Sequence, residues 1–219
     1  MRKNGIIIAI DGPTASGKST TAKRVAAELG YLHLNTGAMY RAIALASTRS
    51  PDLDISRLLE STEIEFNDRG HVCLNGVDVS HEIILPQIAD LASELSQIPE
   101  VRKKLVEEQR SLGEAGGVVL EGRDIGTVVF PDAELKIFLV ADPTIRAERR
   151  REELARAGTE LSLEEVKRQL AERDRRDEER ELSPLRKAED AKELDTTKLS
   201  IKEQVERVVR LARNISSKV

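Results

Sequence analysis

The sequence of 219 residues contains one stretch in which glycine, lysine and hydroxyl side chains have the spacing of a phosphate cradle. Gly12 is followed after four residues by Gly17, Lys18 and Ser19, which is the full P-loop pattern. In that pattern backbone N–H groups at a helix N-terminus bind phosphate oxygens, the lysine reaches the β- and γ-phosphates, and the hydroxyl can ligate Mg2+. The stretch therefore predicts a nucleoside-triphosphate site. Its expected members are Gly12, Pro13, Thr14, Ala15, Ser16, Gly17, Lys18, Ser19 and Thr20.

Arginines outside the cradle carry information about the acceptor of the triphosphate's γ-phosphoryl group. The cradle itself does not identify the acceptor, because kinases, GTPases and ATPase motors share it. An acceptor that carries its own phosphate needs several arginines besides the cradle lysine. Arg41 and Arg123 lie in polar segments that contain glycine, and Arg123 follows a predicted buried strand, where open α/β sheets place ligands. Arg173, Asp177 and Arg180 share one helical face at i, i+4 and i+7. Taken alone, this trio is more typical of an exposed helix crossed by salt bridges.

Apolar runs and amphipathic segments predict the elements that position the cradle. Ile6–Ile10 predicts a strand buried on both faces, and Lys18–Leu29 predicts a helix that ends at Gly30. The alternation of strands and helices predicts an α/β protein, a three-layer P-loop fold with a parallel central sheet. Further strands are expected at Gly117–Leu120, Leu135–Val140 and Glu193–Asp195, and further helices after the N-caps Asp142 and Ser200, the last with Glu203 in a capping box and reaching about Ile215.

Two segments interrupt this alternation. Residues 64–79 predict short antiparallel strands with turns at Asp68-Arg69-Gly70 and Asn75-Gly76, as an insertion beside the main sheet. Residues 146–180 are rich in arginine and acids and predict two helices separated by Gly158.

Composition limits the partners. The net charge is −4 and aromatic residues make up 2% of the chain, which argues against binding to nucleic acid or to a membrane surface. No apolar run is long enough to span a bilayer, and Cys73 is the only cysteine, so no internal disulfide is possible. We expect a cytoplasmic monomer.

The remaining candidate residues carry weaker signals. His33, His71 and His81 are scattered, with no carboxylate or cysteine at ligand spacing, and are expected to have surface or turn roles. Glu121 precedes Gly122-Arg123 and is expected either to touch Mg2+ through water or to pair with a nearby arginine.

Three segments resemble the signature segments of bacterial cytidylate kinases. They are Thr36–Arg41, Gly122–Asp132 and Glu172–Arg180, and the resemblance extends from Ile6 to the C-terminal helix. It implies a nucleoside monophosphate (NMP) kinase that uses ATP and Mg2+ and has CMP or dCMP as its acceptor. The implied division is a core of 1–34, 103–145 and 182–219, an antiparallel-β and helical NMP-binding region of about 35–102, and a helical lid of about 146–181.

The resemblance also implies roles for individual residues. Arg41, Arg123 and Arg180 would hold the CMP phosphate, Arg102 and Asp124 would read cytosine beside Ser93, and Arg173 and Asp177 would bind the ribose, with Thr36 also lining the acceptor site. Arg176 and Arg149 would approach the transferring group, Arg149 from the ATP side. The implied catalytic set is Lys18, Arg123, Arg176 and Arg180.

Elementary chemistry supports the assignment of the base. Cytosine presents an amine beside two acceptors, so Asp124 can accept from the amine while Arg102 donates to the acceptors. Uracil has a carbonyl in place of the amine, and Asp124 would then face another acceptor.

Two residues depart from the family pattern. Asn35 stands where the family usually has aspartate, which removes a charge that could orient a magnesium-bound water or a nearby arginine. Ala15 stands where many members carry glycine, and alanine predicts that φ stays below zero at this position.

Two other functions remain open at this point. The first is a small-molecule kinase of similar fold with an uncharged hydroxyl acceptor such as shikimate, which would not need so many arginines. The second is a P-loop protein that uses nucleotide as a switch, against which the arginine-rich segments argue.

Overall fold

The computed structural model describes residues 4–67 and 70–217. It divides into two compact units, one formed by Met1–His33 with Gly113–Val219 and the other by Leu34–Leu112. The strands are β1 Ile7–Asp11, β2 Leu32–Asn35, β3 Ile64–Phe66, β4 Val72–Leu74, β5 Val77–Asp78, β6 Val118–Gly122, β7 Leu135–Val140 and β8 Lys192–Asp195. The helices are α1 Lys18–Leu29, α2 Thr36–Arg49, α3 Ile55–Glu60, α4 Pro86–Leu95, α5 Pro99–Gly113, α6 Pro143–Arg156, α7 Leu163–Glu179 and α8 Ile201–Ser216, and a π-helical turn spans Ile125–Val129.

The central sheet has five strands in the order β2-β6-β1-β7-β8. β1 runs parallel to both β6 and β7, and β8 runs parallel to β7. Every residue of β1 is buried. On one face of the strand, Val25 of α1 and Val208 of α8 share an apolar cluster with Ile8 and Ile10, while Ile7 and Ala9 are buried on the opposite face. Burial on both faces explains the continuous apolar run, and the predicted parallel α/β class is confirmed.

Capping residues in the sequence correctly predicted where several helices begin or end. Helix α1 has the predicted bounds, and Gly30 caps it with φ of 67°. Asp142 caps α6, and Ser200 forms the predicted capping box with Glu203. No helix within the described ranges is long and apolar enough to cross a membrane.

The unit Leu34–Leu112 contains the predicted antiparallel strands, paired in the order β3-β4-β5. Asn75 and Gly76 form one turn with φ of 50° and 78°, whereas Asp68 and Arg69 of the other predicted turn lie outside the described residues. Helices α2 and α4 share an apolar core with β3 and β4. The division into core, NMP-binding region and lid remains a prediction, as do its boundaries.

The arginine-rich segment forms α6 and α7, with Gly158 between them at φ of 81°. Ala147 and Leu154 of α6 pack against Val166 and Leu170 of α7. Helix α7 ends at Glu179, so Arg180 is its C-cap and has extended backbone angles.

Candidate active site

The P-loop connects the end of β1 to the start of α1, as the sequence predicts. Gly12 has φ of 147°, and a Cβ added there would overlap the carbonyl oxygen of Leu139 in β7. Gly17 is the N-cap of α1 at φ of 95°, and no side chain caps the helix. The N–H groups of the first turn have no acceptor within the helix, so this end of α1 can donate to phosphate oxygens.

The expectation for Ala15 is wrong. Its φ is 59°, in the left-handed region that alanine rarely occupies. The preceding residue is tied to two arginines: the Thr14 carbonyl accepts from Arg146 Nη1 at 3.1 Å, and the Thr14 hydroxyl accepts from Arg123 Nη2 at 2.8 Å. Both contacts hold the residue just before Ala15 in place.

Lys18 is the first residue of α1 and is buried, and its side chain reaches back to the loop. Its Nζ donates to the carbonyl oxygen of Pro13 at 2.6 Å. Burial lowers the pKa of Lys18 well below its usual range, and the neighbouring Arg123 charge lowers this pKa further. A triphosphate would supply the negative charge that favours the protonated amine.

Ser19, Glu121 and His33 form a chain of contacts beside the loop. The Ser19 hydroxyl donates to Glu121 Oε2 at 2.5 Å, and His33 Nε2 lies 3.1 Å from Glu121 Oε1. A hydroxyl beside a buried carboxylate is a donor set of hard oxygens, which suits Mg2+ bound partly through water. No group of three His, Cys, Asp or Glu side chains that could hold a metal occurs in the part of the chain that the structure describes.

The expectation for the histidines was wrong for His33, which pairs with a largely buried carboxylate, because the alignment of β2 beside β6 in the sheet brings it to Glu121. His71 also has a carboxylate partner, Asp78 at 2.8 Å, but both are well exposed. The Ser80 N–H and His71 together lower the pKa of Asp78 to about 2. His81 is exposed, as expected.

Arg123 joins the P-loop to α7. Its Nε donates to Asp177 Oδ2 at 2.7 Å, while Nη2 donates to the Thr14 hydroxyl. Burial opposes the charge on Arg123, but Asp177 outweighs it and raises the pKa of the guanidinium. Burial likewise opposes the charge on Asp177, and Arg123 outweighs it and lowers the pKa of that carboxyl.

The trio on α7 is not an exposed salt-bridge ladder. Asp177 and Arg180 are 6% and 9% exposed, and Arg180 Nη2 lies 3.7 Å from Asp124 Oδ1. The exposed ladder is formed by Arg175, which pairs with Glu172 and Glu179. The structure therefore brings Arg123, Asp124, Asp177 and Arg180 together, with Arg173 contributing to the charge around Asp177.

Two arginines of α6 contact the loops around the cradle. Arg146, which the sequence reasoning missed, pairs with Asp174 of α7 at 2.6 Å and also donates to Thr14. Arg149 donates to the carbonyl oxygen of Thr196 at 2.7 Å, and its Nη1 lies 4.0 Å from where a Gly17 Cβ would stand. Arg146 and Arg149 lie in the same charged run, so the sequence does not distinguish them. Only the folded structure shows that Arg146 is buried.

Arg176 is half-exposed and lies 3.8 Å from Glu172 on its own helix. Its approach to the transferring group remains a prediction.

The other predicted acceptor residues belong to the unit Leu34–Leu112. Thr36 begins α2 and is buried, and Asn35 caps that helix by accepting from the Ala38 N–H at 3.0 Å. Arg102 donates to the Ser96 carbonyl at 3.1 Å, and its guanidinium lies 5.5 Å from the centre of the Tyr40 ring. Arg41 and Ser93 are both half-buried, on α2 and α4.

Asp11 is a second residue that sequence reasoning missed. It is buried at the end of β1 and accepts hydrogen bonds from the N–H groups of Ile125 and Gly126. The sequence did carry a signal for a role of Asp11, because this polar residue directly follows an apolar run and directly precedes the P-loop.

The strand, P-loop and helix, with Arg123 beside the cradle, define a P-loop phosphotransferase. The family model described as cytidylate kinase matches residues 8–214. The chain therefore belongs to the cytidylate kinase family, and the resemblance seen in the sequence is confirmed.

Individual proteins agree with this family. The cytidylate kinase of Chloroherpeton thalassium is 46% identical over 226 residues, covering 98% of this chain and 96% of that protein. The cytidylate kinase of Geobacter sp. is 47% identical over 221 residues, covering 97% and 95%. A shikimate kinase structure from Acinetobacter baumannii, in complex with shikimate, matches with a TM-score of 0.50 at 14% identity, covering 97% of this chain and 95% of that chain. This last likeness shows the fold alone.

Proposed function

We propose that the protein transfers the γ-phosphoryl group of ATP to CMP or dCMP, giving ADP and CDP or dCDP, as a step of pyrimidine nucleotide metabolism. Membership of the cytidylate kinase family supports the reaction. The observation that carries the proposal is the position of Arg123, a largely buried cation that contacts both Thr14 of the P-loop and Asp177 of α7. A cation there can bind a second phosphate next to the triphosphate.

The donor half is the P-loop. Its N–H groups and Lys18 would bind the triphosphate, with Arg149 beside Gly17. Ser19, and Glu121 through water, would hold Mg2+. When bound, the metal would neutralise charge on the β- and γ-phosphates.

The acceptor half uses arginines that carry acidic partners in this structure. Arg123 pairs with Asp177, and Arg180 lies near Asp124. We propose that the CMP phosphate takes the place of the acids on Arg123 and Arg180, with Arg41 as a third cation. The acids would then meet the nucleoside: Asp177 with Arg173 at the ribose, and Asp124 with Arg102 and Ser93 at the base, with Thr36 lining the site.

The reaction needs positioning and charge rather than a side-chain base. An oxygen of the CMP phosphate is already ionised near neutral pH and would attack in line with the leaving ADP. Lys18, Arg123, Arg176 and Arg180 would neutralise the charge that develops on the transferring group. Closure of the segment 146–181 would exclude water and suppress hydrolysis of ATP.

The first test is the choice of acceptor. ADP formation is measured with CMP, dCMP, UMP, AMP and shikimate as separate acceptors. We expect fast turnover with CMP or dCMP and slow turnover with UMP. Preference for shikimate would support the small-molecule kinase, and nucleotide binding without acceptor-dependent turnover would support a nucleotide switch.

A second test replaces Arg180 by alanine. Loss of a charge-assisted hydrogen bond is expected to raise the KM for CMP by about tenfold to a hundredfold, while ATP binding stays nearly unchanged. Arg186→Ala is the matched control, since Arg186 is exposed and lies outside the site. Equal kinetics for the two variants would contradict the role of Arg180.

We also propose that the enzyme works as a cytoplasmic monomer. The single cysteine, Cys73, cannot form an internal disulfide, which fits a reducing compartment. Sedimentation at several protein concentrations would test the monomer.

A further inference from the structure

Asp11 is a buried acid at the end of β1, directly before Gly12, and is only 5% exposed. Its Oδ1 accepts from the Ile125 N–H at 2.9 Å, and its Oδ2 accepts from the Gly126 N–H at 2.8 Å. Ile125 and Gly126 begin the π-helical turn. One carboxylate thus ties the strand before the P-loop to the segment that directly follows Arg123 and Asp124.

Asp124 occupies the N-cap position of this turn but makes no side-chain cap hydrogen bond. An aspartate at an N-cap ordinarily accepts from the N–H groups of the first turn that follows it. Asp11 accepts from that turn across 114 and 115 residues of sequence. The Asp124 carboxylate is therefore not used for capping, and its Oδ1 lies 3.7 Å from Arg180 Nη2 instead.

We propose that Asp11 is a positioning residue that fixes Arg123 and Asp124 relative to the P-loop and so determines the choice between cytosine and uracil. It touches neither nucleotide and acts through the backbone of Ile125 and Gly126. The inference rests on the proposed function, because it takes Asp124 as the acceptor for the cytosine amine.

The positioning requires a carboxylate because both partners are N–H donors. Asparagine has the same size but only one oxygen, so its NH2 group would face one of the two backbone N–H groups and leave it without an acceptor. Burial raises the pKa of Asp11 to about 6, with Asp124 adding to the rise and the two N–H groups and Lys18 opposing it. The carboxylate is thus mostly ionised at pH 7.5 and accepts both hydrogen bonds.

The experiment measures kcat/KM for CMP and for UMP in the full chain and in Asp11→Asn, Asp124→Asn and the double variant. Asp11→Asn is expected to lower the CMP-to-UMP ratio by at least about tenfold without weakening the binding of ATP. In the Asp124→Asn background, the same change should lower the ratio no further. Asp54→Asn is the control, since Asp54 caps α3 by accepting from the Arg57 N–H and should leave the ratio unchanged.

The outcomes separate this inference from the proposed function. An original chain that does not prefer CMP would contradict the proposed base recognition and, with it, the inference. An original chain that prefers CMP, with an unchanged ratio in Asp11→Asn, would overturn the inference alone. An equal loss of the ratio with and without Asp124 would also overturn it, because Asp11 would then act independently of that residue.

A second variant covers the case in which Asp11→Asn does not fold. A Cβ on Gly126 would lie only 3.1 Å from Lys136 Cδ, and at an ordinary contact distance of 3.4 Å from Asp11 Oδ2, so Gly126→Ala crowds Lys136 and displaces the turn that Asp11 binds without removing the Asp11 charge. We expect the ratio to fall severalfold with ATP affinity retained. A ratio equal to that of the original chain would overturn the proposal.

Discussion

Arg146 is expected to be the arginine of α6 on which the folded state depends most. The perturbation is Arg146→Met, which keeps most of the side-chain length and removes the charge. Arg146 Nη1 lies 2.6 Å from Asp174 Oδ2, and the two side chains are only 10% and 12% exposed. Asp174 Oδ1 is buried without a hydrogen-bond partner, so Arg146 is the direct ion-pair partner of Asp174, with Arg123 adding attraction from farther away.

The expected loss of unfolding free energy in Arg146→Met follows from the burial of the ion pair. Removing one partner of a buried ion pair leaves an uncompensated charge and costs about 3–5 kcal/mol. The variant also loses the hydrogen bond to the Thr14 carbonyl, worth about 1 kcal/mol. We expect the free energy of unfolding to fall by roughly 5 kcal/mol.

The assay is urea unfolding followed by circular dichroism, since the chain has no tryptophan to report by fluorescence. Arg156→Met is the matched control on the same helix. Its pair with Glu152 is 3.3 Å long and 76% and 66% exposed, so its loss should cost at most about 1 kcal/mol. Adding Asp174→Asn to Arg146→Met should recover more than half of the loss, because it removes the stranded charge.

Equal losses of unfolding free energy in Arg146→Met and Arg156→Met would refute this role of Arg146. A further loss of stability when Asp174→Asn is added to Arg146→Met would refute it as well. In either case the Arg146–Asp174 contact would not be the buried charge pair on which the estimate depends.

Two more predictions concern residues beside the P-loop. Burial raises the pKa of Asp11 to about 6 in the native state, against an ordinary value of 3.8. Between these two pH values the native state therefore binds more protons than the unfolded state. The unfolding free energy contributed by this carboxyl is lost as the pH rises through this range. The difference in unfolding free energy between the original chain and Asp11→Asn should fall by up to about 3 kcal/mol from pH 4 to pH 7, and a constant difference in urea titrations would contradict this. Ala15→Gly should raise Tm by up to about 3 °C, because glycine adopts the left-handed backbone without strain, and this gain exceeds the extra conformational entropy that glycine loses on folding. A lower Tm in calorimetry would show that Ala15 is not strained.

Much of the fold could be predicted from local sequence signals. The bounds of α1, the capping box of α8 and the strand Leu135–Val140 were predicted correctly. Each depends on residues within one or two turns or on one apolar run, so periodicity and capping chemistry are sufficient. The end of α7 at Glu179 was not predicted, because Arg180 leaves the helical conformation where it lies near Asp124.

The candidate site could be predicted only as a set of residue types. The sequence marked Arg123 and Asp177 as functional, but their pairing joins positions 54 residues apart. Asp11 and Arg146 escaped notice because their partners, Gly126 and Thr14, lie 115 and 132 residues away. Nothing in the neighbouring residues of either side chain specifies such a partner.

The sequence by itself therefore determined the P-loop, the parallel α/β class and the family, since these depend on local spacing and on side-chain types. Only the tertiary structure decided which charges meet. It placed Asp11 on the turn after Asp124, Glu121 between Ser19 and His33, and Arg146 on Thr14. The physical reason is that a buried charge needs a partner, and folding selects that partner from residues far away in the chain. The tertiary structure also places Ala15 in a conformation that its own side chain disfavours.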